Sequence, residues 1–307
     1  EGSQGLEDMH EVALLDLGRG GSSDDERGRR FFDALTRTGF VRLRHPPGYD
    51  VGLVRELLAA APEFFDLDLK VLRALYVSGL KGERGYMPFR VETAVGSSIP
   101  DNKAYFTIGR PSGGVHENLW FRDALLPGFR VLMERGLTML EKVFLELLRL
   151  LGPTIGSPGL EEHARAGDSI FRVIDYPELA DPSDSTVVRS EAHKDASALT
   201  LLPRSAPGLE ICINGKWIPA DRLAADDELI VNVGNSLELY AKSQGYNLPS
   251  TEHRVTNGGG RRRISAPFFG HFDKSFVLDP TTGLTVEAFL DGRLTALRLG
   301  ERVSPSA

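Results

Sequence analysis

The stretch Glu191-Ala192-His193-Lys194-Asp195-Ala196-Ser197-Ala198-Leu199-Thr200-Leu201-Leu202 decides how the rest of the chain is read. Its second half alternates small or polar residues with leucines. That is the mark of a strand, and a strand sends residues i and i+2 to one face. His193 and Asp195 are therefore expected side by side, an imidazole beside a carboxylate. Such a pair fills two neighbouring positions on a metal ion and needs a third ligand from elsewhere. The candidate is His253, in Ser250-Thr251-Glu252-His253-Arg254-Val255. Two histidines and one carboxylate on one face of an octahedron leave the opposite face open. Alone, His-x-Asp more often marks two polar residues at a strand edge, so the reading needs independent support.

The support lies ten residues beyond His253, in Arg263-Ile264-Ser265-Ala266-Pro267-Phe268-Phe269. Here Arg263 and Ser265 share a strand face, and a planar guanidinium beside a hydroxyl is a ready holder for a carboxylate. The combined order His-x-Asp, His, Arg-x-Ser resembles the 2-oxoglutarate/Fe(II) oxygenases of the isopenicillin N synthase-like family. The resemblance implies Fe(II) held by His193, Asp195 and His253, with the distal carboxylate of 2-oxoglutarate on Arg263 and Ser265. It further implies O2 as oxidant, release of succinate and CO2, and hydroxylation, desaturation or cyclisation of a small biosynthetic metabolite. Related halogenases carry Gly or Ala at the carboxylate position, so Asp195 argues against halogenation. The alternatives are an Fe(II) oxidase of the same fold that uses no 2-oxoglutarate, and a non-catalytic binding protein.

The strand Ser169-Ile170-Phe171-Arg172-Val173-Ile174-Asp175-Tyr176-Pro177 resembles the family's strand ending Tyr-Pro, whose Tyr often hydrogen-bonds 2-oxoglutarate, so Tyr176 inherits that expectation. Arg172 and Ile174 share its face by parity. Plant members commonly have Asn where Ile174 stands, which removes one helper for the cosubstrate. An arginine inside a barrel is costly unless it meets a carboxylate, so Arg172 is a candidate substrate residue, with Phe269 as a pocket wall. Arg84, Arg90, Lys103 and Arg110 add a cationic grouping near the expected entrance, and together they favour a carboxylate-bearing substrate. His45, His116, His163 and His271 lack ligand-like partners and read as surface or loop residues.

Composition excludes other classes. With 307 residues, 41% hydrophobic, 26% charged and a net charge of −7, the chain has no electrostatic footprint for nucleic acid or an anionic membrane. The basic run Arg261-Arg262-Arg263 is offset by acidic segments such as Asp226-Asp227-Glu228. The single cysteine, Cys212, rules out an internal disulfide and suits a reducing compartment. No apolar run is long enough to span a bilayer and no signal-peptide pattern is present, so the expectation is a cytoplasmic monomer. Residues 1–8 read as a leader added for expression, with the natural start at Met9.

In chain order, Ser23 and Glu26 form a capping box for a helix stopping near Gly39, and Asp50 caps a second. A loop-rich stretch runs from Gly85 to about Trp120, and Pro127 opens the longest helix, ending at Gly152. Beyond Ser169 short strands dominate, including a hairpin turned by Asn214-Gly215. Many short strands imply a sandwich or barrel. The resemblance sharpens this to a mainly β fold with packed helices around a double-stranded β-helix (jelly roll) core. Residues 9–150 form an N-terminal α/β region and 151–307 the jelly-roll catalytic region of one compact domain.

Overall fold

A computed structural model describes residues 11–18, 22–92, 99–110, 116–184, 187–221 and 227–301, with the backbone alone for 294–301. The expected leader and start at Met9 lie outside the described residues. Strands β1 (Ala13–Asp16) and β2 (Phe40–Arg44) flank the helix Asp24–Thr38. The helices Val51–Phe65 and Leu69–Ala74 precede β3 (Gly85–Met87) and β4 (Ala104–Gly109), and the long helix Phe129–Leu151 leads to β5 (Ile170–Tyr176). Then come β6 (Ser190–His193), β7 (Leu199–Leu202), β8 (Leu209–Ile213), β9 (Lys216–Pro219) and β10 (Glu228–Val233). After the helix Asn235–Ser243 come β11 (His253–Val255), β12 (Arg263–Ser265), β13 (Phe268–Gly270), β14 (Val277–Asp279) and β15 (Leu284–Thr285), and then the helix Val286–Glu301.

Two sheets face each other as in a jelly roll. Among the described residues the larger runs β1-β2-β10-β7-β13-β5-β4-β3, with β12 paired to β5 beside β13, and the smaller runs β6-β11-β8-β9. The stretch from Gly85 to Trp120 is less loop-like than its Gly and Pro content suggests. β3 and β4 pair there and extend the large sheet beside β5. β4 carries a local signal that the Gly and Pro content hides, the β-forming run Tyr105-Phe106-Thr107-Ile108, whereas the three residues of β3 owe their conformation to pairing with it.

The large sheet is two-sided, and parity sorts its residues. Phe106, Phe171, Val173, Leu199, Leu201, Leu229, Val231, Ile264 and Phe268 point to the helices and join their apolar residues in one core. Between them, Tyr105, Ile174, Tyr176 and Ile230 point into the barrel, where they meet Leu209, Ile211 and Val255 of the small sheet. Each fully buried Leu or Phe contributes about 1.5–3 kcal/mol of transfer free energy. The apolar outer face thus anchors the sheet on the helices and frees the inner face for polar work.

Helix ends agree with their sequence signals. Ser23 accepts the Glu26 amide at 3.2 Å, and Asp50 accepts that of Leu53 at 3.1 Å. Gly39 ends its helix at φ 71°, and a Cβ there would stand 2.1 Å from the Pro249 carbonyl oxygen, so only glycine fits. The long helix starts at Phe129, after Gly128, two residues later than Pro127 suggested. Cys212 is half-buried in β8. No helix among the described residues is long and apolar enough to cross a membrane.

Phe144 is fully buried on the long helix and lies 5.6 Å, centroid to centroid, from Phe268 on β13. Phe144→Ala is expected to cost about 3–5 kcal/mol. The check is a denaturant titration, in which the midpoint should fall with an unchanged slope.

Candidate active site

His193, Asp195 and His253 come together with one ligand atom each, all within 4.8 Å of one another. His253 on β11 pairs directly with His193 on β6, so the hydrogen-bond ladder sets one imidazole opposite the other. Asp195 arrives differently from the parity expectation. β6 ends at His193, and Asp195 lies in the turn before β7, where the Asn235 amide donates to its backbone carbonyl at 2.8 Å. The two side chains converge because the chain turns, not because they alternate along one strand.

Hydrogen bonds fix which atoms are free. Nδ1 of His193 lies 2.8 Å from the Glu191 carbonyl oxygen, and Nδ1 of His253 lies 3.0 Å from that of Thr251. A carbonyl can only accept, so both Nδ1 atoms carry the proton and both Nε2 lone pairs are free. Oδ2 of Asp195 accepts from Thr200 Oγ1 at 2.7 Å and Asn232 Nδ2 at 2.9 Å. Its Oδ1 faces both Nε2 atoms at 3.7 Å. Three converging donor atoms, each with its outer side tied down, form a set that fits a divalent metal ion.

Charge follows from the surroundings. Burial opposes ionisation of Asp195, but the two imidazoles and the donors Asn232 and Thr200 outweigh it and hold the carboxyl below its ordinary range. His193 keeps 39% of its side chain open to the cavity, yet it sits deep in the wall. Desolvation there, reinforced by His253, pushes it down to about 4. It is therefore neutral near pH 7 and able to ligate a metal.

An inner cavity of about 550 Å³ is lined by these ligands together with Arg172, Ile174, Tyr176, Arg263, Ser265 and Phe269, so every site residue picked out from sequence reaches it. Arg263 pairs across strands with Tyr176, and Ser265 with Ile174. Nε of Arg263 donates to the Ala206 carbonyl at 3.0 Å, while Nη1 and Nη2 are buried without a hydrogen-bond partner. Asp221 stands 4.0 Å from Nη2, shared with buried Arg204 at 3.3 Å. A buried guanidinium with two idle nitrogens is expensive unless an anion arrives. This edge of the cavity fits the distal carboxylate of 2-oxoglutarate.

Arg172 and Phe269 also line an outer chamber of about 1440 Å³ that opens to solvent and reaches Asp195 from the other side. Arg172 donates to Thr107 Oγ1 at 3.0 Å and to the Gly82 carbonyl at 3.2 Å, with Tyr105 and Phe269 on its faces. The other expected entrance cations are engaged elsewhere. Arg84 pairs with Asp168, Arg110 with Glu141, and Lys103 with Glu92 and Asp101. Arg90 is exposed, and the rest of the expected cationic grouping dissolves into structural ion pairs. His271, read as a surface or loop residue, instead lines the outer chamber, where burial pushes it down to about 4. His45, His116 and His163 lie outside both cavities, against Asp16, Glu83 and Phe276.

Sequence reasoning missed Thr200 and Asn232. Asn232 had a signal, a polar residue at an inward position of the otherwise apolar strand Leu229-Ile230-Val231-Asn232-Val233. Lys103, expected in the cationic grouping at the entrance, is instead buried and lines the inner cavity.

Comparison with known proteins adds independent findings. Residues 167–272 match the 2OG-Fe(II) oxygenase superfamily, and residues 12–123 match the N-terminal region described as non-haem dioxygenase in morphine synthesis. The chain is 28% identical over 261 residues to the 2-oxoglutarate-dependent dioxygenase caaD of Aspergillus niger, covering 79% of each chain. It is 25% identical to a homoarginine-6-hydroxylase of Glycine max, covering 80% of this chain and 78% of that one. In fold it is similar to a full-length Neurospora crassa protein crystallised in complex with alpha-KG, with TM-score 0.81 and 21% identity over 92% of this chain and 95% of that one.

Ala at His193, Asp195 or His253 should abolish tight Fe(II) or Co(II) binding in an anaerobic titration. Asn232→Ala, which removes one of the two donors to Oδ2 of Asp195, should weaken it about 10–100-fold. Unchanged metal affinity in Asp195→Ala would remove that residue from the ligand set.

Proposed function

This chain belongs to the 2-oxoglutarate/Fe(II) oxygenase family and is a 2-oxoglutarate-dependent dioxygenase, and we propose that it oxidises a small carboxylate-bearing metabolite held by Arg172. Its cofactors are Fe(II), 2-oxoglutarate and O2. When bound, the metal and cosubstrate supply the oxidising power, and succinate and CO2 leave.

The residues of the chain supply position and charge. His193, Asp195 and His253 hold the metal through Nε2, Oδ1 and Nε2, with backbone carbonyls, Thr200 and Asn232 keeping those atoms aimed. Arg263 takes the distal carboxylate of 2-oxoglutarate on its idle Nη1 and Nη2, with Ser265 as a further donor on the same strand face. Those idle nitrogens favour a 2-oxoglutarate enzyme over an oxidase of the same fold that dispenses with the cosubstrate. Tyr176, beneath the Arg263 guanidinium at 5.3 Å, closes that end of the cavity. Ile174 offers no polar atom, so the cosubstrate is held without the amide that plant members commonly have there.

The single observation carrying the substrate reading is Arg172. It lies on the wall between the inner cavity and the outer chamber, and it makes no ion pair with a carboxylate among the described residues. Two of its five N–H groups are used, leaving a fork aimed at whatever enters. Phe269, 5.4 Å from that guanidinium, packs against the apolar part of the guest. Similarity to a homoarginine hydroxylase supports the same class, since homoarginine carries a carboxylate.

Arg263→Ala should raise the 2-oxoglutarate requirement about 100-fold, roughly 3 kcal/mol, and Ser265→Ala about fivefold, roughly 1 kcal/mol. Both are read from succinate formation against 2-oxoglutarate concentration. The substrate reading is checked by pairing a carboxylate substrate with its amide, in wild type and in Arg172→Met. The acid should be favoured by the wild type alone. Equal turnover of acid and amide by both proteins would make Arg172 structural.

A further inference from the structure

Next to Arg172 the outer chamber holds a second fixed charge. Glu92 lines that chamber, with 35% of its side chain exposed. It accepts from the Tyr105 hydroxyl at 3.2 Å and meets the Lys103 ammonium at 2.8 Å. Burial would raise its pKa, but Lys103 first and Arg172 next outweigh that and hold it at about 2, so it is an anion at any physiological pH. Its Oε2 is buried against Lys103, while Oε1 takes the Tyr105 hydroxyl and keeps a lone pair for another donor.

The spacing of the two charges is built in. Arg172 stacks on the Tyr105 ring at 3.9 Å, while the hydroxyl at the end of the same ring donates to Glu92. One tyrosine thus carries the cation on its ring face and the anion at its hydroxyl. Each is tied down separately, Arg172 by Thr107 and Gly82 and Glu92 by Lys103. The two feel each other's charge but do not close into an ion pair among the described residues. Lys103 is in turn anchored on Asp101 at 2.7 Å, and Asp101 accepts the Glu191 amide at 3.2 Å on the strand that ends in His193. The charged pair is therefore rigidly referenced to the metal ligands.

We propose that the substrate is the zwitterion of an α-amino or α-imino acid, its carboxylate on Arg172 and its ammonium on Glu92. This rests on the Arg172 reading above and extends it. A simple carboxylic acid would satisfy Arg172 but set its own negative charge near Glu92 in a partly dry chamber, which is unfavourable. A neutral ring would strip water from both charges and replace it with nothing. A zwitterion, with opposite charges on neighbouring atoms, answers both. Its side chain is then left to run along Phe269 and Ile170 toward the Asp195 side of the chamber. Among the described chamber carboxylates, Glu92 is the one tied to the Tyr105 ring that carries Arg172.

The test uses the metal-loaded protein with 2-oxoglutarate under anaerobic conditions. Binding of the twenty proteinogenic L-amino acids is measured by calorimetry, each beside its N-acetyl, des-amino and carboxamide derivatives. At least one amino acid should bind, with its N-acetyl and des-amino forms at least about 30-fold weaker, since each leaves Glu92 without its partner. Glu92→Gln should shrink that discrimination to about threefold or less, while 2-oxoglutarate affinity stays within about twofold. The wild-type comparison stands even where Glu92→Gln folds poorly. Des-amino acids binding as well as amino acids, or no panel member binding at all, would overturn the zwitterion. Carboxamides binding as well as free acids would instead overturn the Arg172 reading on which it rests.

Discussion

A strand presents every second side chain to each side, and the large sheet uses that constraint without exception at its functional positions. Arg172, Ile174 and Tyr176 on β5, Arg263 and Ser265 on β12, and Thr200 and Asn232 on the central strands β7 and β10 all face inward. Their immediate neighbours Phe171, Val173, Ile264, Leu201 and Val231 face the helices. The helical core is thus not a separate support for the active site. It is the other half of the same residues' alternation, and its transfer free energy is what holds several inward charges in place.

Inside the barrel, stability and function pull against each other. Arg263, Arg204 and Arg189 are all buried, and some of their nitrogens lack partners. Asp221 and a few backbone carbonyls offset part of that cost. Of the three, Arg263 turns its remainder toward the inner cavity. Asp195 is the opposite case. Its oxygens are divided cleanly, one satisfied by the protein and one facing the histidines, so little of its charge is idle. The contrast is between a carboxylate oxygen aimed in advance and a guanidinium left open at the cavity.

The convergence of His193, Asp195 and His253, the inward Arg263 and the jelly roll were legible because each rests on a short pattern with a physical meaning. His-x-Asp, a later His and Arg-x-Ser carry their chemistry in residue type, and alternation predicted which β5 residues share the cavity. Caps were legible for the same reason at Ser23, Asp50 and Gly39. Long-range pairing, by contrast, leaves no local mark. β3 became a strand by pairing with β4, itself docked on β5, and the cations Arg84 and Arg110 found carboxylates distant in sequence. Even the correct pairing of His193 with Asp195 came from a turn, whose direction depends on the Asn235 amide far along the chain.

His253 and Arg263 stand on successive strands, β11 and β12, which belong to different sheets, and the segment 256–262 between them pairs in neither. The chain therefore tolerates changes of length very unevenly here. Extra residues added around Gly258 and Gly259 lengthen a turn and leave both registers intact. A single extra residue inside either strand reverses the facing of every later position in that strand, sending an imidazole or a guanidinium toward the outside of its sheet. Length can therefore vary in the turn at no cost to the facing of His253 or Arg263, and the strands on either side cannot share that freedom.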